Sequence, residues 1–188
     1  MKFVQIADLH LDTPLVSLKN NRELIKKRRA EQKQIFKDVI KLIKNEKIEA
    51  LFICGDLFEQ KFVEKNTIEY VIGSLQLIPD VKVFITPGNH DPYIKASPYV
   101  NYKWPNNVII FDSKIRKVQI DDIDIYGFGF DDYEMHDDKL ANFNVDDKTR
   151  LNILVTHGTL NGDDKYNYIS PSELKQFDYV ALGHIHKP

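Results

Sequence analysis

Eight residues of this chain carry side chains that could hold a divalent cation or move a proton, and all eight stand where an apolar run gives way to a turn. Asp8 and His10 follow Val4-Gln5-Ile6-Ala7, and Asp56 follows Leu51-Phe52-Ile53-Cys54-Gly55. Asn89 and His90 follow Val83-Phe84-Ile85 through the turn-forming Thr86-Pro87-Gly88. His157 ends Ile153-Leu154-Val155-Thr156, and His184 and His186 follow Ala181-Leu182-Gly183. A lone histidine is by default a hydrogen-bonded structural residue, but five of the six histidines fall on this roll, and chance does not gather them so. In extended backbone, positions i and i+2 point to one side. That predicts that Asp8 converges with His10, and that the imidazoles of His184 and His186 aim the same way. Carboxylates, a carboxamide and imidazoles without a thiolate suit ions such as Mn, Fe or Zn. The donors are too many for one ion and enough for two. Two ions sharing a site favour a bridging carboxylate, and Asp56 is the natural candidate.

The elements that must position these donors follow from periodicity. Lys2 to Ala7 reads as a first strand. From Arg22 to Asn45, apolar residues recur at three- and four-residue spacings among lysines and arginines, which predicts a helix. Ile48 to Cys54 is apolar almost throughout, as a buried parallel strand should be. A second helix is predicted from Lys65 to Leu77, and a third strand from Val81 to Ile85. This alternation implies a right-handed parallel sheet, and ligands bind at the carboxyl ends of such strands. Tyr93 to Asn107, rich in Pro, Tyr and Asn, reads as a surface loop. Val108–Phe111, Ile115–Ile120 and Ile123–Phe128 read as short strands of an antiparallel extension or a second sheet, with Asp121-Asp122 as a hairpin turn. Asp131 to Lys148 is polar and acidic, and its carboxylates and His136 read as solvated surface. Leu151–Thr156 and Phe177–Leu182 are further buried strands, with a short helix expected near Ser170–Gln176.

At 188 residues, 43% hydrophobic and 29% charged, the chain has the makeup of one soluble globular domain. No apolar run approaches the roughly 20 residues of a membrane span, and the first residues lack a signal-peptide pattern. Cys54 is the only cysteine, so it cannot form a disulfide within the chain. A reducing, cytoplasmic setting is expected, with Cys54 as core. Lys19 to Lys47 holds eleven Lys/Arg against four Asp/Glu, but Lys26-Lys27-Arg28-Arg29 reads as the wet face of the helix rather than as a phosphate-binding patch.

The series Asp8-x-His10, Gly55-Asp56, Gly88-Asn89-His90-Asp91, His157-Gly158 and Gly183-His184-x-His186 resembles the calcineurin-like metallophosphoesterase superfamily, block by block and in order. The wording of Ile6-Ala7-Asp8-Leu9-His10-Leu11-Asp12, Gly55-Asp56-Leu57-Phe58 and Tyr126-Gly127-Phe128 is most similar to the SbcD/YhaO branch of DNA-repair exonucleases. The resemblance implies an α/β fold in which central, mostly parallel β layers form a two-sheet sandwich flanked by helices. It implies two divalent ions, manganese foremost, one on Asp8, His10, Asp56 and His186 and the other on Asp56, Asn89, His157 and His184. His90 would face the scissile phosphate as a catalytic residue, with Asp91 orienting it. Many SbcD-type members carry Gly soon after the Asp-x-His pair, where this chain has Asp12-Thr13-Pro14.

The activity implied is metal-dependent phosphodiester hydrolysis, with DNA the first substrate class. A nucleotide, a small phosphoester or a phosphoprotein is the alternative. A silent scaffold would be expected to lose ligands or His90, and none is lost. Family nucleases continue into a DNA-gripping capping domain and a segment that docks an SMC-like ATPase, and they often dimerise through helices near the second and third motifs. Residues 1–188 are therefore expected to be a catalytic domain without its cap, with the 65–77 helix as a dimer contact.

Overall fold

The protein is described by a computed structural model covering residues 1–160 and 165–186. In chain order its elements are β1 (Phe3–Ile6), α1 (Arg22–Asn45), β2 (Ala50–Cys54), α2 (Lys65–Gln76), β3 (Lys82–Thr86) and α3 (Pro98–Asn101). There follow β4 (Val108–Ile110), β5 (Arg116–Ile120), β6 (Ile123–Gly127), β7 (Leu151–His157), β8 (Thr159–Leu160), β9 (Tyr168–Ile169) and β10 (Tyr179–Gly183). Single 3-10 turns lie at Val16–Leu18 and Glu173–Gln176.

Two four-stranded sheets carry the architecture, one in the order β1-β2-β3-β4 and the other in the order β10-β7-β6-β5. The first is wholly parallel. The second is parallel except for the β5–β6 hairpin, whose turn residue Asp121 takes a left-handed backbone, φ 49°. β4 departs from expectation. It pairs with β3 and closes the first sheet instead of opening the second.

Strand alternation sorts the core into layers. In β2, Ala50, Phe52 and Cys54 face the second sheet and meet Ile125, Ile153, Val155 and Ala181. Leu51 and Ile53 face the opposite way, onto Phe36, Ile40 and Ile43 of α1 and Ile68, Val71 and Leu75 of α2. Every residue of β2 is buried, which accounts for its unbroken apolar run. The helices thus cover the outer face of the first sheet. Over the outer face of the second, Met135, Leu140, Phe143 and Val145 pack with Tyr126, Leu154 and Phe177. The 131–148 segment is therefore wet on its carboxylates, as expected, yet also serves as a lid on the core. His136 is exposed, and so are Lys26, Lys27 and Arg28.

The 93–107 stretch is more than a surface loop. Its α3 begins on a Ser97 cap, and Tyr99 is buried against Phe58 and Trp104. Among the described residues, no helix is long and apolar enough to cross a membrane.

Candidate metal centre

Both sheets aim the carboxyl ends of their parallel strands at one edge, so donors far apart in sequence arrive together. β1 delivers Asp8 and His10, β2 delivers Asp56, and β3 delivers Asn89 and His90. From the second sheet, β7 delivers His157, and β10 delivers His184 and His186. Asp8, His10, Asp56 and His186 each offer a donor atom within 4.8 Å of the others, and so do Asp56, His157 and His184. Asp56 belongs to both groups. In the first, His10 Nε2 lies 3.2 Å from His186 Nε2 and 3.6 Å from Asp56 Oδ2, and His186 Nε2 lies 3.4 Å from Asp8 Oδ1. In the second, His157 Nε2 is 3.3 Å from Asp56 Oδ2 and 3.1 Å from Asn89 Oδ1. His184 Nδ1 is 3.2 Å from both Asn89 Oδ1 and His157 Nε2.

This chemistry fits cations. His157 Nδ1 lies 2.8 Å from the Cys54 carbonyl, and an N–H there leaves the Nε2 lone pair facing Asn89 and Asp56. Lone pairs of an amide oxygen, a carboxylate and imidazoles directed at one point repel one another unless a positive charge lies among them.

The local backbone differs from the extended form assumed from sequence. Asp8, His10, Asp56, His184 and His186 all have left-handed φ values, at 55°, 44°, 52°, 108° and 47°. Such conformations cost on the order of 1 kcal/mol each for a residue with a Cβ, and they gather at functional sites. One consequence is that His184 and His186 do not aim one way. Their rings part, His184 to the group of His157 and His186 to that of Asp8 and His10. Asp12 has φ 67°, a conformation glycine would adopt without strain, and here its carboxylate accepts from Glu64 N–H at the start of α2. The neighbouring glycines leave no room for change. A Cβ on Gly88 would sit 2.2 Å from Asp56 Oδ1, and one on Gly55 2.2 Å from His157 Nδ1.

His90 stands beside the centre. Its N–H donates to Asp56 Oδ1 at 2.8 Å, and its ring Nδ1 lies 2.8 Å from Glu59 Oε2. The orienting contact expected of Asp91 is thus made by Glu59, which also lies 3.8 Å from His10 Nδ1. Sequence reading missed Glu59, and its one signal was its place three residues beyond Asp56. Asp91 is fully buried and holds two loops together. Its carboxylate accepts from the N–H groups of Asp56 (3.0 Å), Phe58 (3.0 Å) and Gly88 (2.8 Å), and from the Tyr99 hydroxyl at 2.5 Å.

Protonation follows from these surroundings. Burial holds His10 and His184 below the usual imidazole range, which keeps them neutral as ligands must be. Burial opposes charge on His157 too, but the adjacent Asp56 outweighs it and raises that imidazole above its ordinary value. Burial would likewise raise Asp56, yet His157 and the His90 N–H hold it at about 2. Burial and the Asp56 charge push Asp91 up to about 7, against the pull of Tyr99 and the N–H groups of Gly88 and Phe58. A metal ion therefore competes at His157 with the proton that Asp56 favours there. Metal affinity is expected to rise with pH through the imidazole range, with proton release as the ion bound by His157 enters. Calorimetric titration in two buffers of different ionisation enthalpy measures that release. Equal heats in both buffers would contradict it.

A two-sheet α/β sandwich with paired donor groups around one carboxylate, and an imidazole beside them, fits a metal-dependent phosphoesterase. The family model of calcineurin-like phosphoesterases matches residues 1–188, and the chain belongs to that family, whose members use divalent metals. It is similar to the "uncharacterized metallophosphoesterase YhaO" of Bacillus subtilis (strain 168), with 26% identity over 205 residues. That match takes in 100% of this chain and 49% of YhaO, so the chain spans about half the length of this curated relative. A solved crystal structure superposes with a TM-score of 0.51 at 14% identity, over 99% of this chain and 84% of that one, a likeness of fold.

Proposed function

We propose that the protein hydrolyses phosphodiester bonds at a two-metal centre and that its substrate is DNA. The observation that carries this reading is the Asp56 carboxylate shared by two donor groups, with His90 held beside both. Asp8, His10, Asp56 and His186 would hold one ion, and Asp56, Asn89, His157 and His184 the other. Mn suits this mixture of carboxylate, amide and imidazole, with Fe or Zn as alternatives. Such ions, when bound, acidify water and polarise phosphoryl oxygens.

The remaining roles belong to the chain. Glu59 accepts from His90 Nδ1–H, which fixes the ring and leaves Nε2 as the atom that, when the ring is doubly protonated, gives its proton to the departing oxygen. Asp91 and Tyr99 lock the two loops that carry Asp56 and His90, so the proton donor and the shared carboxylate keep a fixed separation. DNA is favoured over other diesters by the wording shared with the SbcD/YhaO branch around Asp8, Asp56 and Tyr126. On the same resemblance, the whole protein would work with an SMC-like ATPase, and two copies would pair along α2. Sedimentation of the protein alone and with that ATPase would read out both.

The test of the substrate is hydrolysis of bis(p-nitrophenyl) phosphate and of end-labelled DNA, side by side, with Mn and with chelator. Metal-dependent cleavage of both is expected. Cleavage of the small ester alone would shift the substrate to nucleotides or other small esters, and cleavage of neither by metal-loaded protein would sink the reading.

A further inference from the structure

Beside His90 lies a cavity of about 250 Å³. Glu59, Asn89 and His90 line it, together with Lys61, Tyr133, Glu134 and Tyr166. The Lys61 loop is firmly placed. Gln60 N–H donates to the His90 carbonyl at 3.1 Å, and Phe62 N–H and Val63 N–H both return to the Glu59 carbonyl. The opposite wall is placed as well, because Met135 and Tyr166 form a parallel β-bridge. The Lys61 ammonium rests 4.4 Å above the Tyr133 ring. Among the described residues Lys61 has no carboxylate partner, whereas both acids of the lining are engaged with imidazoles, Glu59 2.8 Å from His90 Nδ1 and Glu134 3.1 Å from His136 Nε2. The cation is thus held by an aromatic face and remains available to an anion from solvent.

We propose that this cavity receives the leaving group, and that Lys61 is a specificity-determining residue which binds a second phosphate carried by that group. The inference rests on the phosphodiesterase reading. It adds that the preferred substrate is a diester whose departing alcohol is itself a nucleotide. His90 is the proton donor to the departing oxygen, so what lies just beyond that oxygen must occupy the space His90 borders. Among the described residues its lining offers one cation without a carboxylate partner, at the end of a long side chain. A leaving group without a phosphate, such as a nucleoside or p-nitrophenolate, makes no use of it.

The experiment compares wild type, Lys61→Ala and Lys61→Arg on three kinds of substrate with Mn present. These are bis(p-nitrophenyl) phosphate, a dinucleoside monophosphate, and that dinucleotide with an added terminal phosphate at its 5′ or 3′ end. Wild type is expected to prefer one of the two phosphorylated dinucleotides. Lys61→Ala should raise KM for that substrate about tenfold with kcat little changed, as fits loss of one charge-assisted contact. KM for the other two kinds should hold, and Lys61→Arg should restore most of the preference. The salt dependence of kcat/KM on the preferred substrate should also become shallower by about 0.7 in log–log slope. Equal loss on all substrates, or none on the phosphorylated one, overturns the role of Lys61 while leaving the phosphodiesterase reading intact. Failure of wild type to cleave any diester would overturn both.

Discussion

Replacing His90 by alanine is expected to lower kcat on DNA about a thousandfold, within the range that general acid catalysis supplies, with metal content unchanged. The ring is outside both donor groups that share Asp56, and its side chain is 42% exposed, so removing it opens no cavity in the core. The contact His90 makes to Asp56 comes from its main-chain N–H and survives in alanine. What is lost is the imidazole held by Glu59. A p-nitrophenolate leaving group needs little protonation, so the defect on bis(p-nitrophenyl) phosphate should be much smaller than on DNA. Glu59→Gln, which keeps a hydrogen-bond acceptor but removes the charge, should fall between wild type and His90→Ala. Measuring kcat on both substrates beside metal stoichiometry decides the matter. If the loss is equal on both, or follows a loss of metal, His90 is not the proton donor.

The second large effect concerns stability. Asp91→Ala should destabilise the fold by about 3–5 kcal/mol, because three main-chain N–H groups and the Tyr99 hydroxyl would be buried without an acceptor. Against the 5–15 kcal/mol typical of a domain, that is a large share, and for this length it lowers Tm by roughly 10 °C. Asp91→Asn separates two descriptions of the native carboxyl. Every group within hydrogen-bonding distance is a donor toward it, which suits the ion. Burial and Asp56 push it toward the neutral acid, and the Asp56 part of that push weakens when a cation neutralises Asp56. If the ion is the native form, the amide turns an NH2 toward donors and rescues little. Urea denaturation of metal-loaded protein at pH 8 gives the answer. Stability of the Asn variant close to wild type would mean that Asp91 is held as the neutral acid.

Much of this arrangement could be read from residue types, because strand and helix periods are local signals. The unbroken apolar run of β2, the charged outer face of α1 and the punctuation by Gly55, Gly88, Gly158 and Gly183 all marked where donors would emerge. What could not be read depends on how segments fold back. Val108–Ile110 has the same apolar pattern whether it joins β3 or starts another sheet, and the difference is a matter of pairing. Tyr99 lies in a polar, proline-rich stretch, and nothing local announces that its hydroxyl reaches Asp91. Glu59 looks like any solvated acid until the turn after Asp56 brings it under His90. The left-handed backbone at Asp8, His10, Asp56, His184 and His186 is likewise set by tertiary contacts. Two of these are His10 N–H to the Asp56 carbonyl and His184 N–H to the Asp8 carboxylate.

The meeting of Asp8 with His184 and of His10 with His186 joins residues separated by 176 positions. During synthesis, Asp8, His10, Asp56 and Asn89 leave the ribosome while the second sheet is still missing. On the assignment proposed here, neither ion has its full set of ligands until His184 and His186 have emerged and the two sheets have docked. Ion loading then reports that both sheets have been made and joined. On that assignment a nascent chain would carry most of the donors but no complete ion site, so hydrolysis would wait for the finished sandwich.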